Sequence, residues 1–203
     1  MKPQMRVFVP TLALAIASTS AMSEGLADLV RRNGDILELK LQNGKLKTYK
    51  SNRSACEKQD PERCVIYELH AYLPLQNAFV VAAKSYKDAA YEVVSRRTGK
   101  TAEPETLPEF SPSRRRFVSV NGKELGRHTY DVAIWIMIAD EPNMEFRYEV
   151  PKGGRYELWK FRGWDGEDRI RLDVNVNTGN TMVSFESEAV RTPKRWQLKR
   201  PLQ

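Results

Sequence analysis

The chain has 203 residues, 41% of them hydrophobic and 29% charged, and 33 basic against 26 acidic side chains give it a formal net charge of +7. A length of this order fits one domain with a sizeable core. Downstream of residue 21 no stretch is apolar enough to span a bilayer, which excludes a helical integral membrane protein.

Residues 1–6 carry Lys2 and Arg6 and no acid, residues 7–17 are apolar, and the small residues Ser18, Thr19, Ser20 and Ala21 follow. That order of charged, apolar and small regions is the pattern of a secretory signal peptide. The apolar run is about eleven residues and is broken by Pro10, whereas a spanning helix needs about 20. Thr19 and Ala21 meet the small-residue requirement of the cut, so residues 1–21 are expected to be removed, leaving one β-rich exported domain over 22–203. No cysteine stands at the junction, which argues against a lipid anchor. Cleavage takes away two bases and no acid, so the excess of base survives. The mature protein is expected to be periplasmic or secreted, with no stable membrane span.

Leu26, Leu29 and Val30 give residues 25–32 the apolar side of one short helix. Period-two alternation then takes over, as in Leu37, Leu39 and Leu41 between Glu38 and Lys40, and predicts strands with one wet face. Cys56 and Cys64 have seven intervening residues in a polar segment, and in an oxidising compartment they read as one disulfide closing a short loop. A metal site would need partners, and neither His70 nor His128 stands at a finger-like spacing. His70 alternates with Glu68 and Tyr72 on the outer face of its strand; His128 falls in a polar turn. Residues 84–97 place Tyr86, Ala90, Val93 and Val94 at helical spacing, yet a strand, a Lys87-Asp88 turn and a second strand is the preferred reading. Residues 98–116, rich in Pro, Glu, Ser and Thr, read as a loop.

Farther on, Val132, Ile134, Ile136 and Ile138 point one way and Ala133, Trp135 and Met137 the other, so this strand should be covered on both faces. Phe146, Tyr148 and Val150, and then Ile170, Leu172, Val174 and Val176, return to one-sided alternation. Asn43-Gly44, Asn121-Gly122, Gly153-Gly154, Asp165-Gly166 and Thr178-Gly179-Asn180 are turn signals between apolar segments. The fold class is therefore all-β and mainly antiparallel, with at most one or two short helices.

A weak internal repeat aligns the segment through Phe79 with those through Phe117 and Ile170, at irregular offsets. Phe110-Ser111-Pro112-Ser113, followed by basic residues and Phe117-Val118, resembles the strand-opening motif of bacterial periplasmic WD40-like or TolB-like propeller repeats. There an aspartate and a glycine more usually follow the serine-proline pair. Ser95-Arg96-Arg97-Thr98-Gly99-Lys100 is similar to the polar turn that closes such a repeat. A closed ring needs at least four blades of about 40–45 residues, and this chain holds three such units plus an N-terminal hairpin. The resemblance thus implies blade-like meanders packed as a curved sheet, a sandwich or an incomplete propeller, in a protein that binds partners.

No triad, zinc-protease motif or phosphate-cradling glycine loop is present in the sequence, no cofactor motif is recognised, and two histidines leave little for acid–base chemistry. Asp165, Glu167 and Asp168 make an acidic turn, but Arg169 and Arg171 follow to neutralise it, and no metal site is assigned. Candidate binding residues are Trp164, Tyr156, Arg162 and Arg169 around the aromatic segment 155–164, with Arg114 and Arg115 of the run Arg114-Arg115-Arg116, and Lys194, Arg195, Lys199 and Arg200 near the C-terminus, supplying local positive charge. Aromatic and arginine side chains are the usual anchors of interfaces; the competing reading is a core strand beside a solvated charged turn. Trp159 and Phe161 are expected in the core, Tyr156 accessible, and Trp164 beyond the alternating segment. The leading expectation is a non-enzymatic protein that recognises another protein, such as an inhibitor or accessory factor of an envelope or secreted enzyme. A module for a polyanionic or carbohydrate envelope polymer is the alternative, and a hydrolase of unrecognised type a third reading. Nucleic acid is not an expected partner.

Overall fold

A computed structural model describes residues 25–86, 88–121, 129–151, 155–179 and 181–200. The expected signal segment 1–21 lies outside those residues, as do His128 and the turn positions Lys87, Gly122, Gly153, Gly154 and Asn180.

The strands form four antiparallel meanders in which spatial order follows chain order. After a short helix α1 (Leu26–Leu29), the first sheet is built from β1 (Val30–Asn33), β2 (Ile36–Lys40) and β3 (Leu46–Lys50). Helix α2 (Arg53–Glu57) leads to the second sheet, β4 (Ile66–Leu73), β5 (Ala78–Lys84), β6 (Ala89–Ser95) and β7 (Thr101–Ala102). The third holds β8 (Glu109–Phe110), β9 (Arg116–Val120), β10 (Val132–Ile138) and β11 (Glu141–Tyr148). The fourth holds β12 (Glu157–Asp165), β13 (Arg169–Asn177), β14 (Met182–Arg191) and β15 (Trp196–Leu198).

This is the all-β architecture that the alternation predicts, with three four-stranded units behind a smaller N-terminal one. Phe79, Phe117 and Ile170, the anchors of the weak repeat, all lie in the second strand of a meander and are fully buried. Residues 84–97 form the hairpin and not the helix. Two boundaries differ from expectation. Helix α1 stops at Leu29, because Val30 already pairs with Leu39. The expected loop 98–116 contains β7 and β8, each two residues long and therefore too short to carry a periodicity.

The sheets stack face to face in chain order with three apolar layers between them. Leu37, Leu39 and Tyr49 of the first sheet meet Phe79, Val81 and Val94 of the second. Ala78, Val80 and Val93, on the other face of the second sheet, meet Phe117, Ala133 and Trp135 of the third. Val118, Val132 and Ile134 then meet Trp159, Ile170, Leu172, Val174 and Val176 of the fourth. The apolar run in β10 divides accordingly, with Ala133 and Trp135 in one layer and Val132 and Ile134 in the next, as a strand covered on both faces requires.

Between α2 and β4, Cys56 and Cys64 are joined by a disulfide. Inside that ring the amides of Glu62 and Arg63 donate to the Asp60 carboxylate at 3.2 and 3.3 Å, so the loop carries its own hydrogen bonds. Gly99 has φ +79°, and a Cβ there would lie 2.9 Å from Leu41 Cδ1; the missing side chain lets the β6–β7 turn close onto the first sheet. Among the described residues no helix is long and apolar enough to cross a membrane.

Candidate functional site

The fourth sheet ends the stack, so one of its faces is packed and the other is open. Along β13, Ile170, Leu172, Val174 and Val176 turn inward while Arg169, Arg171, Asp173 and Asn175 turn outward. β14 answers in register, Arg171 opposite Glu188 and Asp173 opposite Glu186. Lys160 and Arg162 of β12 flank one side of this array and Lys199, just past β15, the other. Together they line an open cleft of about 640 Å³.

The face carries both signs of charge. Arg162 reaches Asp173 at 3.4 Å, and Arg169 reaches Glu188 at 3.4 Å and Asp165 at 3.9 Å. Asp173 and Glu186, both acids, stand directly opposite each other, an arrangement that is unfavourable by itself. The Lys160, Arg171, Glu186 and Lys199 side chains make no ion pair among the described residues. These exposed pairs contribute little to stability, about 0–1 kcal/mol each. Their interest is as a pattern.

Trp164 is not beyond the strand. β12 runs through Asp165, and a bulge between Phe161 and Gly163 leaves Arg162 as the extra residue. Phe161 pairs with Leu172 and Trp164 with Ile170, so both aromatics join Trp159 on the inner face. Trp164 is half-buried, meets Trp196 edge-on at 6.2 Å between centroids, and donates its indole N–H to the Glu109 carbonyl at 3.0 Å. Counting in twos through a bulge gives the wrong side. Trp159 is fully buried and Phe161 partly so, in line with their expected core role.

Arg162 and Arg169 belong to the open face. Tyr156 is 38% exposed but precedes the opposite end of β12, and eight residues of strand separate it from Trp164 by about 26 Å. Arg114 and Arg115 lie in the β8–β9 turn, which the β12–β13 turn grips: Glu167 accepts from Ser111 Oγ at 2.9 Å and from the Ser113 amide at 2.6 Å. Those bonds hold the Glu167 carboxyl below its ordinary range despite the opposing effect of burial. The acidic turn is thus spent on protein contacts, and no three His, Cys, Asp or Glu among the described residues are placed to hold a metal. His70, the extra residue of a bulge in β4, is exposed and meets Tyr91 edge-on at 5.7 Å.

Sequence reasoning counted Lys199 only among the basic residues near the C-terminus and passed over Lys160, Arg171, Glu186 and Glu188 as binding residues. The alternation in β12 and β13 marks Lys160 and Arg171; the acids need the register of β14. It also passed over a carboxylate that binds the third sheet to the fourth. Glu145 accepts from Arg116 Nε at 2.7 Å and from the Trp196 indole at 3.0 Å, with Arg191 3.8 Å away. Burial opposes its ionisation, but the Arg116 and Trp196 hydrogen bonds and the charges of Arg116 and Arg191 outweigh that, and its carboxyl lies below the ordinary range. At the other end of the same interface, buried Glu157 accepts from Tyr148 at 2.8 Å, the Trp159 indole at 3.1 Å and Arg200 at 2.6 Å.

Comparison with known proteins finds no matching family model, no matching curated protein and no matching solved structure.

Proposed function

We propose that this chain is an exported binding protein that recognises another protein through the outer face of its fourth sheet. The observation that carries the reading is the mixed charge of that face. Five bases (Lys160, Arg162, Arg169, Arg171 and Lys199) alternate with four acids (Asp165, Asp173, Glu186 and Glu188) around one open cleft. A polymer of single charge sign would be repelled by half of this pattern, whereas a folded protein can present the complementary one and so fix its register. The acids Asp173 and Glu186, facing each other without a shared cation, are a place where a partner's lysine or arginine relieves repulsion. Export rests on the charged, apolar and small order of residues 1–21 and agrees with the Cys56–Cys64 disulfide. The propeller-type kinship suggested by Phe110-Ser111-Pro112-Ser113 belongs to the same proposal, since such repeats serve as binding scaffolds.

The test is capture from an envelope extract with the exported protein as bait, alongside a Lys160→Glu/Arg171→Glu variant and a Lys45→Glu/Lys50→Glu variant of equal charge change on the first sheet. A protein should be retained saturably by the wild type and by the first-sheet variant, and at least tenfold less by the fourth-sheet variant. Equal retention by all three contradicts the assignment of the face.

A further inference from the structure

Beside the open face, the same end of the molecule carries a second surface of different character. Three turns meet there: the β8–β9 turn (residues 111–115), the β12–β13 turn (166–168) and the β14–β15 turn (192–195). The β12–β13 turn links them, touching the β8–β9 turn and Arg191 at the end of β14, where the β14–β15 turn begins. Glu167 binds Ser111 and the Ser113 amide, the Arg191 amide donates to the Asp168 carbonyl at 2.7 Å, and Asp168 lies 3.4 Å from Arg191 and 3.9 Å from Arg116. Glu145 and Glu167 are therefore turned inward and occupied, while Asp168, whose side chain is 60% exposed, is ion-paired to Arg191 and Arg116.

What remains pointing outward is basic. Arg114 and Arg115 on one turn and Lys194 and Arg195 on the other are exposed, and their side chains make no hydrogen bond or ion pair among the described residues. The two turns share a hydroxyl residue followed by proline, and they close with hydrogen bonds of opposite direction. Ser111-Pro112-Ser113-Arg114 closes with the Arg114 amide on the Ser111 carbonyl at 2.8 Å; Thr192-Pro193-Lys194-Arg195 closes with the Thr192 amide on the Arg195 carbonyl at 2.8 Å. Each thus presents two cations on a short, proline-stiffened turn, and the turns belong to stacked sheets, whose spacing is about 10 Å.

We propose that this rim is a binding site for a linear phosphate-bearing polymer. Unlike the sheet face, its unpaired charges are of one sign, because the exposed acid of the junction, Asp168, is ion-paired to Arg191 and Arg116. Three of its four cations are arginines, whose planar forks match the oxygens of a phosphate better than a lysine does. None of the large exposed hydrophobic side chains lies in the three turns, so the rim offers recognition by charge alone. The lack of an exposed aromatic there also disfavours nucleic acid, whose single strands are held by stacking as well as by charge.

The probe is inorganic polyphosphate, titrated against the exported protein over a range of salt. Binding should weaken with salt with a log–log slope of about −3, as four phosphate contacts at about −0.7 each require. Arg114→Glu/Arg115→Glu/Lys194→Glu/Arg195→Glu should lose binding at least tenfold with an unchanged melting temperature, and Lys194→Glu/Arg195→Glu alone should fall between. The Lys160→Glu/Arg171→Glu variant should bind polyphosphate as the wild type does, so this site stands or falls separately from the protein-binding face. Three results would each overturn the proposal: equal weakening by Lys45→Glu/Lys50→Glu, equal affinity for polyglutamate of matched charge, or tighter binding of a single-stranded oligonucleotide of matched phosphate count.

Discussion

Glu145 shows how one carboxylate can bind two sheets. Its partners Arg116, Arg191 and Trp196 come from β9, β14 and β15, and the Arg116 side chain is only 8% exposed. Because its folded-state carboxyl lies below the ordinary value, the stability it adds is complete above the unfolded-state value and is lost as pH falls through the lower folded one. Glu145→Gln should therefore cost about 1.5–3 kcal/mol near neutral pH, the range for hydrogen bonds to charged groups. The loss should shrink on acidification until the two proteins unfold alike, which urea titrations at stepped pH will read. None of this was legible in the chain. Glu145 looks like any outward residue of an alternating strand, and its partners are 29 or more positions away.

At the scale of the element, β13 and β12 differ in what their sequences disclose. β13 alternates without interruption, so its buried and exposed halves can be read directly from Ile170 to Val176. β12 contains the bulge, and a single extra residue at Arg162 reverses the side on which Trp164 falls. Trp164 consequently packs half-buried on the inner face of the sheet. Trp164→Ala should lose the contact with Trp196 and the bond to Glu109, lowering stability by about 2 kcal/mol, below the 3–5 typical of fully buried tryptophans. Thermal or urea unfolding checks this, and an unchanged midpoint contradicts it. The two-residue strands β7 and β8 were illegible for a simpler reason. Two residues cannot display a period of two.

For the whole molecule, the alternating and doubly apolar strands disclosed the all-β class and the covered nature of β10, but not the order in which the sheets stack. That order decides which surfaces stay open, because in an open stack only the terminal sheets keep a free face. The first sheet's outer side exposes Ile36, Leu46 and its lysines; the fourth's exposes the charge-patterned cleft. The alternation could show that Arg171 points to water, yet whether that water is solvent or a future interface depends on the sheet being last.

The most direct measurement is lysine cross-linking of the exported protein in its native envelope, followed by mass spectrometry of the linked peptides. Lys160 and Lys199 border the proposed protein-binding face, while Lys45 and Lys50 lie on the first sheet at the far end of the stack. The account predicts that cross-links to another protein concentrate at Lys160 and Lys199 and vanish in the Lys160→Glu/Arg171→Glu variant even where Lys199 remains. Cross-links concentrated at Lys45 and Lys50, or spread evenly over all four lysines, would contradict it.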